Sequence, residues 1–174
     1  AVTVSWNHFR RHDKTSLVGS GDASVADEGR LRVTYHHNHW EDVKERAPRV
    51  RYGRVHLYNN LYSVTDEAAH GYSIGVGLRS RIVAQNNVWV TPPGLPAGRL
   101  LRWWGGSALA DSGSLLNGQP VDLLATLRAA QPERTFEADV GWWPHLAGGL
   151  ESTTNLAERV RLGAGASRAP ATGR

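Results

Sequence analysis

The sequence predicts an all-β fold, a parallel β-helix in which one strand set winds up a solenoid, and three observations carry that expectation. Four segments follow one pattern and end in asparagine: Val2–Asn7, Val33–Asn38, Val55–Asn60 and Ile82–Asn87. Apolar Val2, Val33, Val55 and Ile82 stand five positions before the asparagine, and Val4, Tyr35, Leu57 and Ala84 stand three before it. Alternation with period two marks a β-strand. An aromatic ring follows two positions after each asparagine: Phe9, Trp40, Tyr62 and Trp89. The asparagines recur at intervals of 31, 22 and 27 residues, which fits stacked rungs with corner loops of unequal length. Asparagines at one place in a stack can hydrogen-bond as a ladder. The rings beside them are expected to stack inside the solenoid or on its flank.

Taken in order, the rungs are expected over residues 1–91. Gly53 and Gly77 precede two of the strands, where a corner is expected to need unusual dihedrals. The run Thr91-Pro92-Pro93-Gly94-Leu95-Pro96 breaks the pattern. Residues 99–118 have room for one more degraded rung with its register lost. Short helices are expected at Val121–Ala130 and at Leu156–Leu162, the second after several N-cap candidates in Ser152-Thr153-Thr154-Asn155. Residues 92–174 are thus read as a mixed loop and helix tail that folds back and caps the last rungs, with the final Gly- and Ala-rich dozen residues disordered. The chain starts inside a strand, with no cap for its first rung. It is therefore expected to be an N-terminally truncated solenoid, the C-terminal part of a longer protein.

Composition narrows the function classes. The 174 residues contain no apolar run of about 18, which speaks against a membrane helix. The lack of cysteine removes disulfides, thiolate metal sites and a cysteine nucleophile, and it is compatible with a secreted bacterial enzyme. A net charge of +4 favours a polyanionic partner: nucleic acid, anionic lipid or acidic polysaccharide.

Basic residues cluster. His12-Asp13-Lys14 follows the first ladder asparagine, and Glu45-Arg46-Ala47-Pro48-Arg49-Val50-Arg51 follows the second. Lys14 lies seven residues past Asn7 and Arg46 eight past Asn38. Rungs stack about 4.8 Å apart, so Lys14 and Arg46 are expected within reach of a common ligand. Pro48 favours an extended Ala47, and in the strand that follows Arg49 and Arg51 should share a face. A basic loop is ordinarily a solvated surface; convergence from two rungs favours a binding wall suited to a row of carboxylates.

The segments Val2-Thr3-Val4-Ser5-Trp6-Asn7, His12-Asp13-Lys14-Thr15, Leu17-Val18-Gly19, Val33-Thr34-Tyr35-His36-His37-Asn38, Arg46-Ala47-Pro48-Arg49-Val50-Arg51-Tyr52-Gly53 and Val55-His56-Leu57-Tyr58-Asn59-Asn60 resemble polysaccharide lyase family 1, the pectate lyases. The resemblance covers roughly residues 1–91. It implies a right-handed parallel β-helix and calcium-dependent β-elimination of polygalacturonate, with Arg46 as the base that removes a C5 proton and Lys14 and Arg51 as holders of substrate carboxylates. A guanidinium is almost wholly protonated at neutral pH, and surrounding positive charge favours its neutral form, so an alkaline optimum follows. The family's Ca²⁺ ligands are acidic residues upstream of the segment at which this chain begins; Asp13 and Asp22 do not match them. No metal ligand is therefore expected here, and residues 1–174 alone are expected to be inactive. The implied whole protein is secreted and monomeric, with pectate as partner and neither nucleic acid nor membrane.

Other features receive plainer readings. His36-His37-Asn38-His39 looks like a metal cluster, but strand alternation is expected to send His37 away from His36. His56 is read as a stacked, hydrogen-bonded rung residue, and Trp103-Trp104 and Trp142-Trp143 as packing residues of the tail. Arg79 and Arg81 extend the basic character without an assigned role. The alternatives are a pectin lyase acting on methylated polymer, disfavoured because that family generally has arginine where this chain has Lys14, and a non-catalytic acidic-polysaccharide-binding β-helix. A nucleic-acid binder is disfavoured because basic and aromatic residues do not interleave on one face.

Overall fold

The computed structural model describes residues 1–146 and 149–166. They form a parallel β-solenoid with three sheets running along its length. The first sheet stacks Val2–Ser5, Arg32–His36, Arg54–Tyr58, Arg81–Gln85 and Ala108–Ser112. The second stacks His8–Arg10, His39–Glu41, Leu61–Ser63, Val88–Val90 and Leu115–Leu116, and Gln119–Pro120 closes it antiparallel. The third stacks Leu17–Val18, Arg49–Val50, Ile74–Gly77 and Leu101–Trp104.

Register follows the sequence pattern. Val2, Val33, Val55 and Ile82 are Cα partners up the first sheet, and so are Val4, Tyr35, Leu57 and Ala84. Inward side chains of adjacent rungs thus land on one another and exclude water as a column; Val55, Leu57, Ile82 and Ala84 are fully buried. Phe9, Trp40, Tyr62 and Trp89 form a second column, with successive ring centroids 4.2, 6.2 and 4.5 Å apart and planes within 14° of parallel. These rings are an interior stack, with Trp40, Tyr62 and Trp89 buried and Phe9 partly buried against the core. The asparagines form the expected ladder. Each Oδ1 of Asn38, Asn60 and Asn87 accepts from both the backbone N–H and the Nδ2 of the asparagine one rung before it, at 3.0–3.1 Å.

A fifth rung exists, and its register is kept rather than lost: Ile82 pairs with Leu109 and Val88 with Leu115. It is hard to read because Gly113-Ser114 stands where earlier rungs have a residue followed by asparagine, so the ladder stops at Asn87. The corner glycines need a different explanation from the expected one. Neither Gly53 nor Gly77 has positive φ. Both are squeezed instead: a Cβ on Gly53 would lie 2.9 Å from Val18 Cγ1, and one on Gly77 would strike the Val50 carbonyl. Left-handed backbone falls on the residue before each ladder asparagine, Trp6, His37, Asn59 and Asn86, with φ between 50° and 56°.

Helix α1 spans Leu123–Ala130, capped by the Asp122 side chain on Ala125 N–H at 2.8 Å. Its Leu123, Leu124 and Leu127 close the core at the last rung. Helix α2 spans Leu156–Gly163 and lays Leu156 and Val160 on Leu61 and Val88, on the outside of the second sheet. Asn155 precedes it with φ 59° and without a side-chain cap bond. The tail therefore covers a flank as well as an end. Residues 167–174, most of the dozen expected to be disordered, lie outside the described residues. Among the described residues no helix is long and apolar enough to cross a membrane.

Candidate active site

The basic wall is built on the third sheet and on the loops that enter it. Val50 is wholly buried in the core, so its neighbours Arg49 and Arg51 share the outer face, as strand alternation requires. Up the sheet, Arg49 is in register with Leu17 on one side and Gly75 on the other, and Gly75 with Arg102. Gly75 leaves room for Arg49, since a Cβ there would lie 2.9 Å from Arg49 Cγ. Arg49 is buried, its guanidinium 4.2 Å from the Trp104 ring centroid, while Arg102 sits 5.1 Å from that of Tyr72. Burial, and then the charges of Arg51 and Arg46, lower the Arg49 pKa, while Tyr72 and Asp22 act against them. The two stacks were not legible in the sequence, because each depends on the register of Leu101–Trp104 against Ile74–Gly77, a strand that lies beyond the Thr91–Pro96 break in the pattern.

Lys14 comes from the loop before Leu17 and pairs across the rung with Glu45. Its Nζ lies 2.9 Å from Asp13 Oδ2 and 3.4 Å from Glu45 Oε1. The Asp13 hydrogen bond raises the Lys14 pKa, and the same bond lowers that of Asp13. Arg46 follows Glu45 with φ 64°, and its Nε lies 3.9 Å from the same Glu45 Oε1. That Nε is buried and makes no hydrogen bond. The Ala47–Pro48 peptide beyond it is cis, and the chain is pinned by Ala47 N–H to the Ser73 carbonyl at 2.7 Å and by Ser16 N–H to the Arg46 carbonyl at 2.8 Å. Arg51 Nε is paired with the exposed carboxylate of Asp22, whose carbonyl also accepts from Tyr52 Oη. The structure thus brings Lys14 and Arg46 around one carboxylate, with Arg51 beyond Arg49 on the same face.

The carboxylates at this wall do not suit calcium. That ion takes six to eight oxygen ligands. Asp13 is bound by Lys14 and Lys44, Glu45 by Lys14 and Arg46, and Asp22 by Arg51.

The histidine cluster departs from expectation. His36 and His37 do meet, Nδ1 to Nδ1 at 2.8 Å, because the strand ends at His36 and positive φ at His37 turns the chain back. Burial lowers both pKa values. His39 goes to the second sheet. His56 is the stacked rung residue expected, 4.6 Å from the Tyr58 ring and bonded to Gln85 at 3.0 Å.

The comparisons with known proteins agree with the fold. A pectate lyase family profile matches residues 1–136. A pectate lyase of Bacillus subtilis is 39% identical over 171 residues, covering 96% of this chain and 39% of that protein. Pectate lyase E of Dickeya chrysanthemi is 36% identical over 151 residues, covering 78% of this chain and 38% of the relative. A solved pectate lyase bound to a hexasaccharide superposes with a TM-score of 0.84 at 39% identity, over 94% of this chain and 40% of its own. A thermostable pectate lyase gives 0.87 at 34% identity, over 94% and 41%. The chain therefore spans about two fifths of the relatives it matches. With the family profile over most of its length, and with the ladder, the stack and the Arg46–Arg51 wall in place, the chain belongs to the pectate lyase family.

Proposed function

We propose that these residues supply the cationic half of a pectate lyase site that cleaves polygalacturonate by β-elimination. The observation that carries this reading is Glu45: a carboxylate held between Lys14 and Arg46 occupies the kind of place a galacturonate carboxylate would take. Lys14 and Arg51 hold uronate carboxylates, and Arg46 takes the C5 proton in its neutral form. The C5–H electron pair becomes the C4–C5 double bond, the C4–oxygen bond breaks, and the departing oxygen gains a proton. Fixed cations beside the uronate stabilise the enolate-like charge as it develops and need little reorganisation to do so.

Calcium dependence belongs to the same reading, with ligands from outside these residues. A bound Ca²⁺ would withdraw charge from the substrate carboxylate and acidify C5. No step assigned to Arg46, Lys14 or Arg51 is routed through it. A polymer of this kind is met outside the cell, so the reading includes secretion.

The test is ultraviolet detection of unsaturated oligogalacturonates released from polygalacturonate by the protein with its upstream rungs present, with and without EGTA. Release that EGTA stops is expected. Full activity in EGTA on methylated polymer would move the protein to the pectin lyases, and binding without release would make it a carbohydrate-binding solenoid.

A further inference from the structure

On the second sheet, away from the basic wall, two histidines and a glutamate converge. His8 and His39 are Cα partners on adjacent rungs, and their rings stack at 4.5 Å with planes 8° apart. Glu41, two residues beyond His39 on the same strand, reaches back across the rung to His8, with Oε2 2.6 Å from Nε2. One ligand atom from each of the three side chains lies within 4.8 Å of the other two. Among the described residues this is the only trio of His, Cys, Asp or Glu that meets that condition.

We propose that His8, His39 and Glu41 bind a divalent transition cation of the Zn²⁺ type, as a staple between the first two rungs. Two imidazoles and one carboxylate form a His₂Glu donor set, which suits zinc and leaves a fourth position for water. Calcium, which prefers oxygen, is disfavoured by the two nitrogens. Tetrahedral zinc with ligands at 2.0–2.1 Å needs donor atoms about 3.3 Å apart. Reaching that geometry requires Glu41 Oε2 to part from His8 Nε2, now 2.6 Å away, and the stacked rings to turn a nitrogen each toward one ion.

The surroundings suit such a site. Ser63 Oγ lies 2.8 Å from His39 Nε2; an ion held through Nδ1 keeps this as the outer contact that orients a metal-binding histidine, and one held through Nε2 replaces it. His39 is buried, which places the inner side of the cluster out of water. His8 and Glu41 are each about a quarter exposed, which gives an ion a path from solvent. The C-terminal end of α2 covers one side: Gly165 N–H donates to the Trp6 carbonyl at 2.9 Å, and a Cβ at Gly165 would lie 3.4 Å from His8 Cβ. The site thus joins two rungs beneath the end of the tail helix, where added cross-linking stabilises the stack.

The experiment uses untagged, chelator-treated protein and titrates Zn²⁺ by calorimetry, with Co²⁺ visible absorption as a readout of a four-coordinate nitrogen and oxygen site. One equivalent bound, a rise in melting temperature with Zn²⁺ but not Ca²⁺, and a tetrahedral Co²⁺ spectrum are expected. His8→Gln and Glu41→Gln should each weaken binding at least tenfold, and His12→Gln, outside the cluster, should not. Far-ultraviolet circular dichroism checks that the variants fold, and both changed residues lie at the surface. Absence of stoichiometric binding to folded wild-type protein, or binding unchanged in His8→Gln, would overturn the proposal. Neither result bears on elimination at Arg46, so the two readings fail independently.

Discussion

Lys14 and Glu45 face each other across adjacent rungs, Nζ 3.4 Å from Oε1, and the same Oε1 lies 3.9 Å from Arg46 Nε. One internal carboxylate therefore sits against two of the three cations assigned to substrate, and a uronate must compete with it. In Glu45→Gln the acceptor stays but the charge goes. At a partly exposed pair that is worth up to about 1 kcal/mol, so KM for polygalacturonate should fall by as much as about fivefold, most at low ionic strength. An unchanged KM at every salt concentration would show that Glu45 does not compete.

Arg46 contributes no hydrogen bond through its buried Nε, so the fold does not rely on that atom. Arg46→Lys should retain pectate binding and lose nearly all turnover, because the ammonium is a different acid in a different place. Arg51→Ala should reduce kcat/KM by a charge-assisted hydrogen bond, about 1.5–3 kcal/mol, and Lys14→Ala should reduce it in the same direction. Comparing pull-down on insoluble pectate with product absorbance separates the two effects; near wild-type turnover in folded Arg46→Lys would remove its role as base.

The ladder asparagines should be unequal. Asn60 Oδ1 accepts twice from Asn38, and its Nδ2 donates to the Tyr35 carbonyl and to Asn87 Oδ1, all in the dry interior. Asn60→Ala orphans several of these groups and should cost about 3–5 kcal/mol, summing about 1 kcal/mol for each lost bond and the penalty for buried groups left unpaired. Asn7 is exposed and donates only to Ser5 and Asn38, so Asn7→Ala should cost about 1 kcal/mol. Urea unfolding of the two variants measures the difference.

Acid should loosen the first sheet through His56. Burial pushes its pKa from 6.5 down to about 4. A depressed value means the neutral ring is the one that fits the fold. Its contribution is therefore intact above pH 6.5 and lost as pH falls toward 4, to a limit of about 3 kcal/mol. His56→Gln, which keeps a polar side chain beside Gln85, should flatten this part of the stability profile in pH-dependent urea melts.

Asp111 should act in the opposite sense. Burial raises its pKa from 3.8 to about 6, although it accepts from Leu123 N–H at 2.7 Å and Ser114 Oγ at 3.0 Å. A raised value favours the protonated form in the fold, so its contribution is full below pH 3.8 and declines as pH rises through 6. Asp111→Asn should stabilise the protein at pH 8 by no more than about 3 kcal/mol and leave it unchanged at pH 3.5. Equal melting temperatures at pH 8 would show that the carboxylate is already satisfied where it lies.

The solenoid was legible in the sequence because its determinants repeat: an apolar residue two before another, an asparagine, then a ring, recurring so that equivalent positions stack. Stacking turns a local pattern into a contact with its own copy one rung away, and so the ladder, the Phe9–Trp40–Tyr62–Trp89 column and the shared side of Lys14 and Arg46 follow from spacing alone. What spacing could not give depends on corners and on register between unlike rungs. Positive φ at His37 turned it back onto His36 against the alternation rule. The fifth rung kept its register with Ser114 in the ladder position, and in the rung before it the register of Leu101–Trp104 on Ile74–Gly77 places Trp104 over Arg49 and Arg102 over Tyr72. Glu45, Asp13 and Asp22 read as loop residues, yet the tertiary structure sets each against a cation. The pairing of His8 with Glu41 likewise arises between rungs, from residues 33 apart that only the solenoid winding makes neighbours.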